Sequence, residues 1–265
     1  MAPMTAPPMA VPPMDSTRLN ECLNQDFALL RTAVTTTDPK TRVPSCPDWT
    51  VDDLADHVAH VYLHKAESIR LGAFPDPWPP EQVNPDTLAR LDENFAALQA
   101  QFAAHSPADH AATWHDVDQT VGFWIRRMAQ ETVIHRIDAE LAAGLPVTPV
   151  PDDLAADGVD EVLKRMLAYG SVTWPEDFAE MEGEHLVGPG EITVAAGQAA
   201  WTVRPSPHAV EVEDGASDDP RAVVDGPAGN VLRWLWGRAG DDAIRITGDA
   251  AWADYLRRLL AVATQ

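Results

Sequence analysis

Glu131 and His135 stand four residues apart in the run ETVIH, and His57, His60 and His64 stand at i, i+3 and i+7 in DHVAHVYLH. Residues with these spacings share one face of a helix. The first pair therefore projects a carboxylate and an imidazole together, and the second set forms a stripe of imidazoles. Two imidazoles and one carboxylate bind a divalent ion while leaving coordination positions open, the pattern of a catalytic site rather than a closed structural one. If the two helices face each other, one of the three histidines completes the set with Glu131 and His135, and spacing leaves open which. The same spacings also suit an ordinary surface ion pair and a solvated helix face.

Neighbouring residues extend the candidate site. A ligating imidazole commonly passes its second N–H to a carboxylate or carbonyl, which would give Asp138 a purpose beside His135; Asp138 could equally balance Arg136 at the surface. Arg126 and Arg127 lie about one turn before Glu131, where a guanidinium could hold a carboxylate through two hydrogen bonds. Arg126 is the candidate for the substrate's carboxylate, and Arg127, with Trp49, for cofactor contacts. Trp78 and Trp124 could line the same cleft or belong to the core. Cys46, in PSCPDW, has no obvious base beside it to make it a nucleophile.

These residues need helices to hold them, and the first half of the chain supplies helical patterning. Leu19, Cys22, Leu23, Phe27 and Leu30 recur at helical spacing over about 15–36. The segment Thr41–Trp49, with Pro44 and Pro47, reads as a loop. Thr50 is an N-cap with Asp53 three residues on, opening a helix over about 51–72 that ends near Gly72. After a proline-rich connection, Leu88, Leu91, Phe95, Leu98 and Phe102 mark a third helix. A fourth spans about 118–143 and stops at Gly144-Leu-Pro. Four such helices imply a four-helix bundle over 15–146, preceded by a proline-rich disordered segment, 1–14, and followed by a linker, 147–152.

Residues 153–265 read differently. One helix fits 153–170. Strand candidates follow at His185–Val187, Glu191–Val194, Ala199–Val203 and Ala209–Val212, then a helix at Ala228–Gly237, a strand at Ala243–Thr247 and a last helix at Ala250–Ala263. Trp234 and Trp236 would pack the middle helix on the sheet. The fold class expected is therefore α+β in two domains, with a mainly antiparallel sheet in the second.

The 265 residues carry 41 acidic against 19 basic side chains, a formal net charge of −22. Such a surface repels phosphate backbones and anionic membranes, which argues against nucleic-acid or membrane partners. No apolar run approaches the roughly 20 residues that span a bilayer, and the start MAPMTAPPMAVPPMD lacks the pattern of a signal peptide. Two cysteines make no disulfide framework. A cytoplasmic protein is expected; its oligomeric state is not legible.

The segments VPSCPDWTVDDLADHVAHV (43–61) and ETVIHRIDAELAAG (131–144), with GPAGNVLRWLWGR (226–238) and IRITGDAAWADYLRRLL (244–260), resemble the mycothiol-dependent maleylpyruvate isomerase family. That family lies within the wider DinB-like metal-binding bundles and has a sterol-carrier-like C-terminal domain. The resemblance implies metal ligands at His57, Glu131 and His135. His60 becomes the competing ligand or a catalytic neighbour, and His64 a pocket-lining residue. It implies a divalent ion, usually zinc, and mycothiol, a small thiol of actinobacteria, as cosubstrate. A thiolate held at the metal would add to a small electrophile, a carboxylate or conjugated carbonyl compound, giving cis–trans isomerisation or thiol transfer. Two other readings suit the same scaffold: a non-catalytic metal-binding regulatory protein, whose ligand set would be eroded, and a hydrolase using metal-bound water, which would need a separate base such as His60 or His64.

Overall fold

The computed structural model describes residues 12–80, 84–183, 189–206 and 209–264. The chain forms two compact units, one of Asp15–Thr148 and one containing Pro149–Gln265. Among the described residues, no helix is long and apolar enough to cross a membrane.

The first unit is built on four long helices: α1 (Ser16–Thr36), α2 (Val51–Leu71), α3 (Thr87–Ala104) and α4 (Val121–Ala142). α1 packs on α4 and α2 on α3, with α2 also against α4. Each helix starts at a side-chain cap. At α2 the cap is reciprocal: the Asp53 N–H donates to Thr50 Oγ1 at 3.2 Å, and the Thr50 N–H donates to Asp53 Oδ2 at 2.8 Å. These bonds, together with the one from the Thr50 hydroxyl, hold the Asp53 carboxyl below its ordinary range. α2 ends where Gly72 adopts φ 64°, and α4 is followed by Gly144 at φ 66°, a backbone region open chiefly to glycine. Leu23, Leu30, Leu54, Val58, Leu91 and Leu98 form the core, and Phe27 of α1 stacks on Phe95 of α3 with ring centroids 3.6 Å apart.

α4 differs from the other three. It is buried nearly all round, including Arg127, Gln130, Thr132, His135, Arg136, Asp138 and Glu140. Buried polar groups are usually paired, and two sets of partners serve the helix, although Arg136 Nη2 is buried without one. On one side, Arg136 is wholly buried and donates to Asp26 of α1 at 2.9 Å, to Glu140 at 2.8 Å and to the Thr148 carbonyl at 2.7 Å. Thr148 in turn donates its N–H and hydroxyl to the Glu140 carboxylate. This network ties α1, α4 and the chain leaving the unit to one guanidinium. The other set belongs to the candidate site.

The second unit opens with a helical run: α5 (Asp152–Glu161), wider π-type turns over Val162–Ala168, and α6 (Tyr169–Thr173), followed by 3-10 turns over Pro175–Gly183. Its sheet has the strand order β5-β4-β3-β6-β7. The strands are β3 (Ile192–Ala196), β4 (Ala199–Pro205), β5 (Val210–Asp214), β6 (Ala222–Gly226) and β7 (Arg245–Gly248). Pairing is antiparallel except between β3 and β6. α7 (Ala228–Leu235) and α8 (Ala250–Ala263) complete it. The buried Trp234 of α7 donates its indole N–H to Asp241 at 2.7 Å, and Trp201 of β4 donates to Asp160 of α5 at 3.0 Å.

The α+β organisation matches the expectation from sequence, with several local corrections. The segment 41–49 is not simply a loop: β1 (Arg42–Val43) and β2 (Cys46–Thr50) form a short antiparallel ribbon. Its prolines and lack of alternation hid it, because a two-stranded edge can carry proline. β6 was not expected; its brief AVV run gives too little pattern, and its place in the sheet depends on a parallel, non-local pairing with β3. The fourth helix starts at Val121 because Thr120, not a residue near 118, accepts the capping bond from Phe123 N–H. The single helix expected at 153–170 is interrupted by π-type turns, α7 stops at Leu235, and the strand expected from Ala243 starts at Arg245 after a 3-10 turn. The strand expected at His185–Val187 and most of the N-terminal segment 1–14 lie outside the described residues.

Replacing Arg136 with Met would strand two buried carboxylates, and the loss should be about 3–5 kcal/mol in urea unfolding. Arg31→Ala, which removes a part-exposed ion pair with Asp92, should lose less than about 1 kcal/mol. Equal losses would show that the buried network is not what fastens α1 to α4.

Candidate metal centre

Three side chains converge where α2 faces α4. Ligand atoms of His57, Glu131 and His135 all lie within 4.8 Å of one another. Glu131 Oε1 is 3.4 Å from His57 Nε2 and 3.2 Å from His135 Nε2. The two imidazoles stand edge to face, 5.0 Å between centroids. Trp49, at the end of β2, lies 4.7 Å from the His57 ring and 6.1 Å from the His135 ring, so the ribbon places an indole over the cluster. His57 is part-exposed, while Glu131 and His135 are largely enclosed.

The atoms that are not in the cluster are already engaged. Arg127, one turn back on α4, donates to Glu131 Oε2 at 2.8 Å. His135 Nδ1 is 3.0 Å from Asp138 Oδ2, and Asp138 Oδ1 accepts from the Ser45 hydroxyl at 2.5 Å. Cys46 Sγ lies 3.9 Å from the same carboxylate. Asp138 and Arg136 are both wholly buried and do not pair with each other at the surface, which was one of the two uses expected for Asp138.

Charge follows from these contacts. Burial opposes ionisation of Glu131, but the His135 charge, hydrogen bonds from both histidines and the Arg127 charge outweigh it and hold the carboxyl well below its ordinary 4.5. Burial also pulls His135 down, but the Glu131 carboxylate and the Asp138 hydrogen bond raise it to about 9. Without a bound cation, then, the pair is an enclosed imidazolium and carboxylate.

The remaining candidates fall in different places. His60 is not among the converging ligand atoms: its Nδ1 is 2.9 Å from the Asp56 carbonyl oxygen and its ring stands edge to face with Trp78. Asp56 is also held by Arg90. His64 lies between Phe74 and Trp78, at 5.6 and 4.8 Å. Arg127 supports Glu131, and Arg126 is rotated by about 100° around α4 from it. Trp124 is buried and donates to the Ala112 carbonyl at 2.9 Å. Sequence reasoning missed Ser45, which carries no motif of its own, and Lys65, whose ammonium lies 4.9 Å above the Trp124 ring.

The metal-free pair predicts a pH dependence. A His135 raised from 6.5 to about 9 contributes stability that is complete below pH 6.5 and lost as pH rises through 9. Glu131 has completed its contribution above 4.5. His64, pulled down to about 4, opposes folding only below 6.5, and Lys65, pulled down to about 8, gains stability only above that value. Between pH 6.5 and 8 the chelator-treated protein should therefore lose on the order of 1 kcal/mol. His135→Gln should flatten this slope in thermal unfolding; an unchanged slope in that variant would remove His135 as its source.

Two family models match the chain in order. The one described as the mycothiol maleylpyruvate isomerase N-terminal domain covers residues 21–140, and the one described as the MDMPI C-terminal domain covers 153–255. A solved structure of the mycothiol-dependent maleylpyruvate isomerase is similar at a TM-score of 0.62 and 15% identity, over 88% of this chain and 93% of that one. A histidine-to-alanine variant of that isomerase is similar at a TM-score of 0.60 and 13% identity, with the same coverage. At such identities the likeness is one of fold. No curated protein sequence matches the chain. With both domain models matched in sequence order across most of its length, the chain belongs to the mycothiol-dependent maleylpyruvate isomerase family.

Proposed function

We propose that this chain is an enzyme that holds a divalent cation, zinc by the nature of its donors, on His57, Glu131 and His135, and uses it to activate mycothiol against a small electrophilic substrate. The observation behind it is the agreement among the three donors. Arg127 occupies Glu131 Oε2 and Asp138 occupies His135 Nδ1, so the atoms left over are Oε1 and Nε2. These, with His57 Nε2, are the atoms that draw together. A divalent cation bound there would lower the pKa of a coordinated thiol and supply thiolate near neutral pH.

The protein's own groups then have definite tasks. Asp138 fixes the His135 tautomer and ring orientation, and Ser45 holds Asp138. Arg127 keeps Glu131 ionised as a ligand. Trp49 covers the cluster and limits water beside a reactive thiolate. Addition of thiolate to a conjugated double bond makes the former alkene a single bond; rotation and expulsion of the same thiolate return an isomerised product. Protonation of the resulting carbanion with the carbon–sulfur bond retained would instead give thiol transfer. The family favours isomerisation. The hydrolase reading needs a base beside the cluster, and His60 is not among the ligand atoms that gather there.

Metal analysis of purified, zinc-loaded protein should give about one equivalent. His135→Ala should fall below about a tenth of that, and His60→Ala should keep it; full metal content in His135→Ala would refute the ligand set. Asp138→Asn should still bind zinc, about 10–100-fold more weakly in competition with a chelator. Mycothiol at millimolar concentration should raise the melting temperature of the zinc-loaded protein. No shift there would count against thiol chemistry. Mass spectrometry of product from an activated maleyl substrate separates the two reactions: isomerisation regenerates free mycothiol, and transfer leaves a thioether.

A further inference from the structure

Lys65 lies on α2 roughly two turns beyond His57. Side chains on a helix lean toward its N-terminus, which carries the ammonium back in the direction of the metal centre. Its Nζ is 4.9 Å from the Trp124 ring centroid and 3.3 Å from His64 Nδ1. Burial is the main influence on its protonation, and the Glu131 and Arg127 charges act on it next, in opposite directions. The ammonium therefore stands within the field of the metal cluster without being part of it.

The described contacts of Lys65 bring it no negative charge. Other enclosed cations of this unit sit on carboxylates: Arg127 on Glu131, Arg136 on Asp26 and Glu140, Arg90 on Asp56. An enclosed charge is normally paired, and a chain with 41 acidic and 19 basic residues has partners to spare. Here an aromatic face and an imidazole take the partner's place. His64 is held near 4 by burial and by the Lys65 charge, so it is neutral at pH 7. Its Nδ1 accepts from Lys65, which leaves the ring proton on Nε2 as a second donor. Trp78 and Phe74 flank that ring.

A cation over an indole, a neighbouring N–H donor and further aromatic rings suit a carboxylate carried on a flat, unsaturated body. We propose that Lys65 is the anion anchor of the site, taking a carboxylate of the substrate with Trp124 as the platform beside it. This rests on the metal-centre reading for the reaction that follows, and not for the binding itself. The anchor is a different residue from Arg126, the one expected from sequence; Arg127 beside it is engaged with Glu131, and the described contacts of Lys65 include no carboxylate. Substrates would then be selected as anions, with the reacting carbon toward His57 and Glu131 and the carboxylate toward Lys65.

Titration calorimetry of the full chain with maleate and with uncharged dimethyl maleate, in zinc-loaded and metal-free protein, tests this. Wild type should bind maleate and discriminate against the ester. Lys65→Met and Lys65→Gln should each weaken maleate by about tenfold or more in both metal states, with zinc content and circular dichroism unchanged. A Lys65-dependent maleate affinity in a protein that takes up no zinc would uphold the anchor while removing the metal reading. Normal zinc uptake with undiminished maleate binding in both variants would overturn the anchor, as would an ester bound as tightly as the dianion or a wild type that binds no maleate at millimolar concentration.

Discussion

A carboxylate withdrawn from water between two helices has to be met by positive charge, and Glu131 is that carboxylate. Removing it from solvent is expensive unless its oxygens are paired. Arg127 satisfies one oxygen, and His57 and His135 gather at the other. Once His135 is drawn into the cluster through Nε2, its Nδ1 needs a partner, which is Asp138. A wholly buried Asp138 needs a further donor, which is Ser45. The β1–β2 ribbon is therefore bonded to α4, and the same ribbon carries Trp49 over the imidazoles. Each contact follows from the one before by the rule that enclosed polar groups are paired.

α4 carries two such chains of consequence on different faces. Arg127, Glu131 and His135 follow one another at helical spacing and look toward α2. Arg136 and Glu140 do the same toward α1 and the exit of the unit. The second line has no open ligand atom: every described partner of Arg136 is an oxygen of the protein itself, and its effect is to fix the position of α4. In the first line His135 Nε2 and Glu131 Oε1 are both acceptors when His135 is neutral, because the ring proton of His135 faces Asp138, yet the two atoms stand 3.2 Å apart. A cation resolves that conflict; without one, a proton on His135 does. A metal on this set would compete with protonation of His135 for the same atom, which would join the proposed site's affinity to pH.

The likeness to the maleylpyruvate isomerase spans most of both chains at about one residue identical in seven. Backbone architecture survives such divergence because apolar periodicity and caps tolerate many substitutions, whereas a donor set tolerates few. The residues that bear on reaction type are therefore those around the cluster rather than those of the core. Lys65 with Trp124 and His64 is one such group, set on the same two helices as the proposed ligands, after His57 on α2 and before Glu131 on α4.

Sequence by itself determined what is local. The capping pair Thr50 and Asp53, the glycine exits at Gly72 and Gly144 and the helical recurrence of leucines and phenylalanines mark α1 to α4, because helices are built from bonds and contacts within a few residues. The i,i+4 spacing likewise placed Glu131 and His135 on one face. Tertiary structure alone decided the partners. Periodicity put His57, His60 and His64 on one stripe, but only the rotation and crossing of α2 against α4 brought His57 rather than His60 to Glu131. The same packing gave Arg127 to Glu131, separated Asp138 from Arg136 and set Lys65 over Trp124. The ribbon around Ser45 and the parallel strand β6 were hidden for a related reason: their hydrogen bonds join segments whose short, proline-bearing or unpatterned sequences carry no record of the partner they meet.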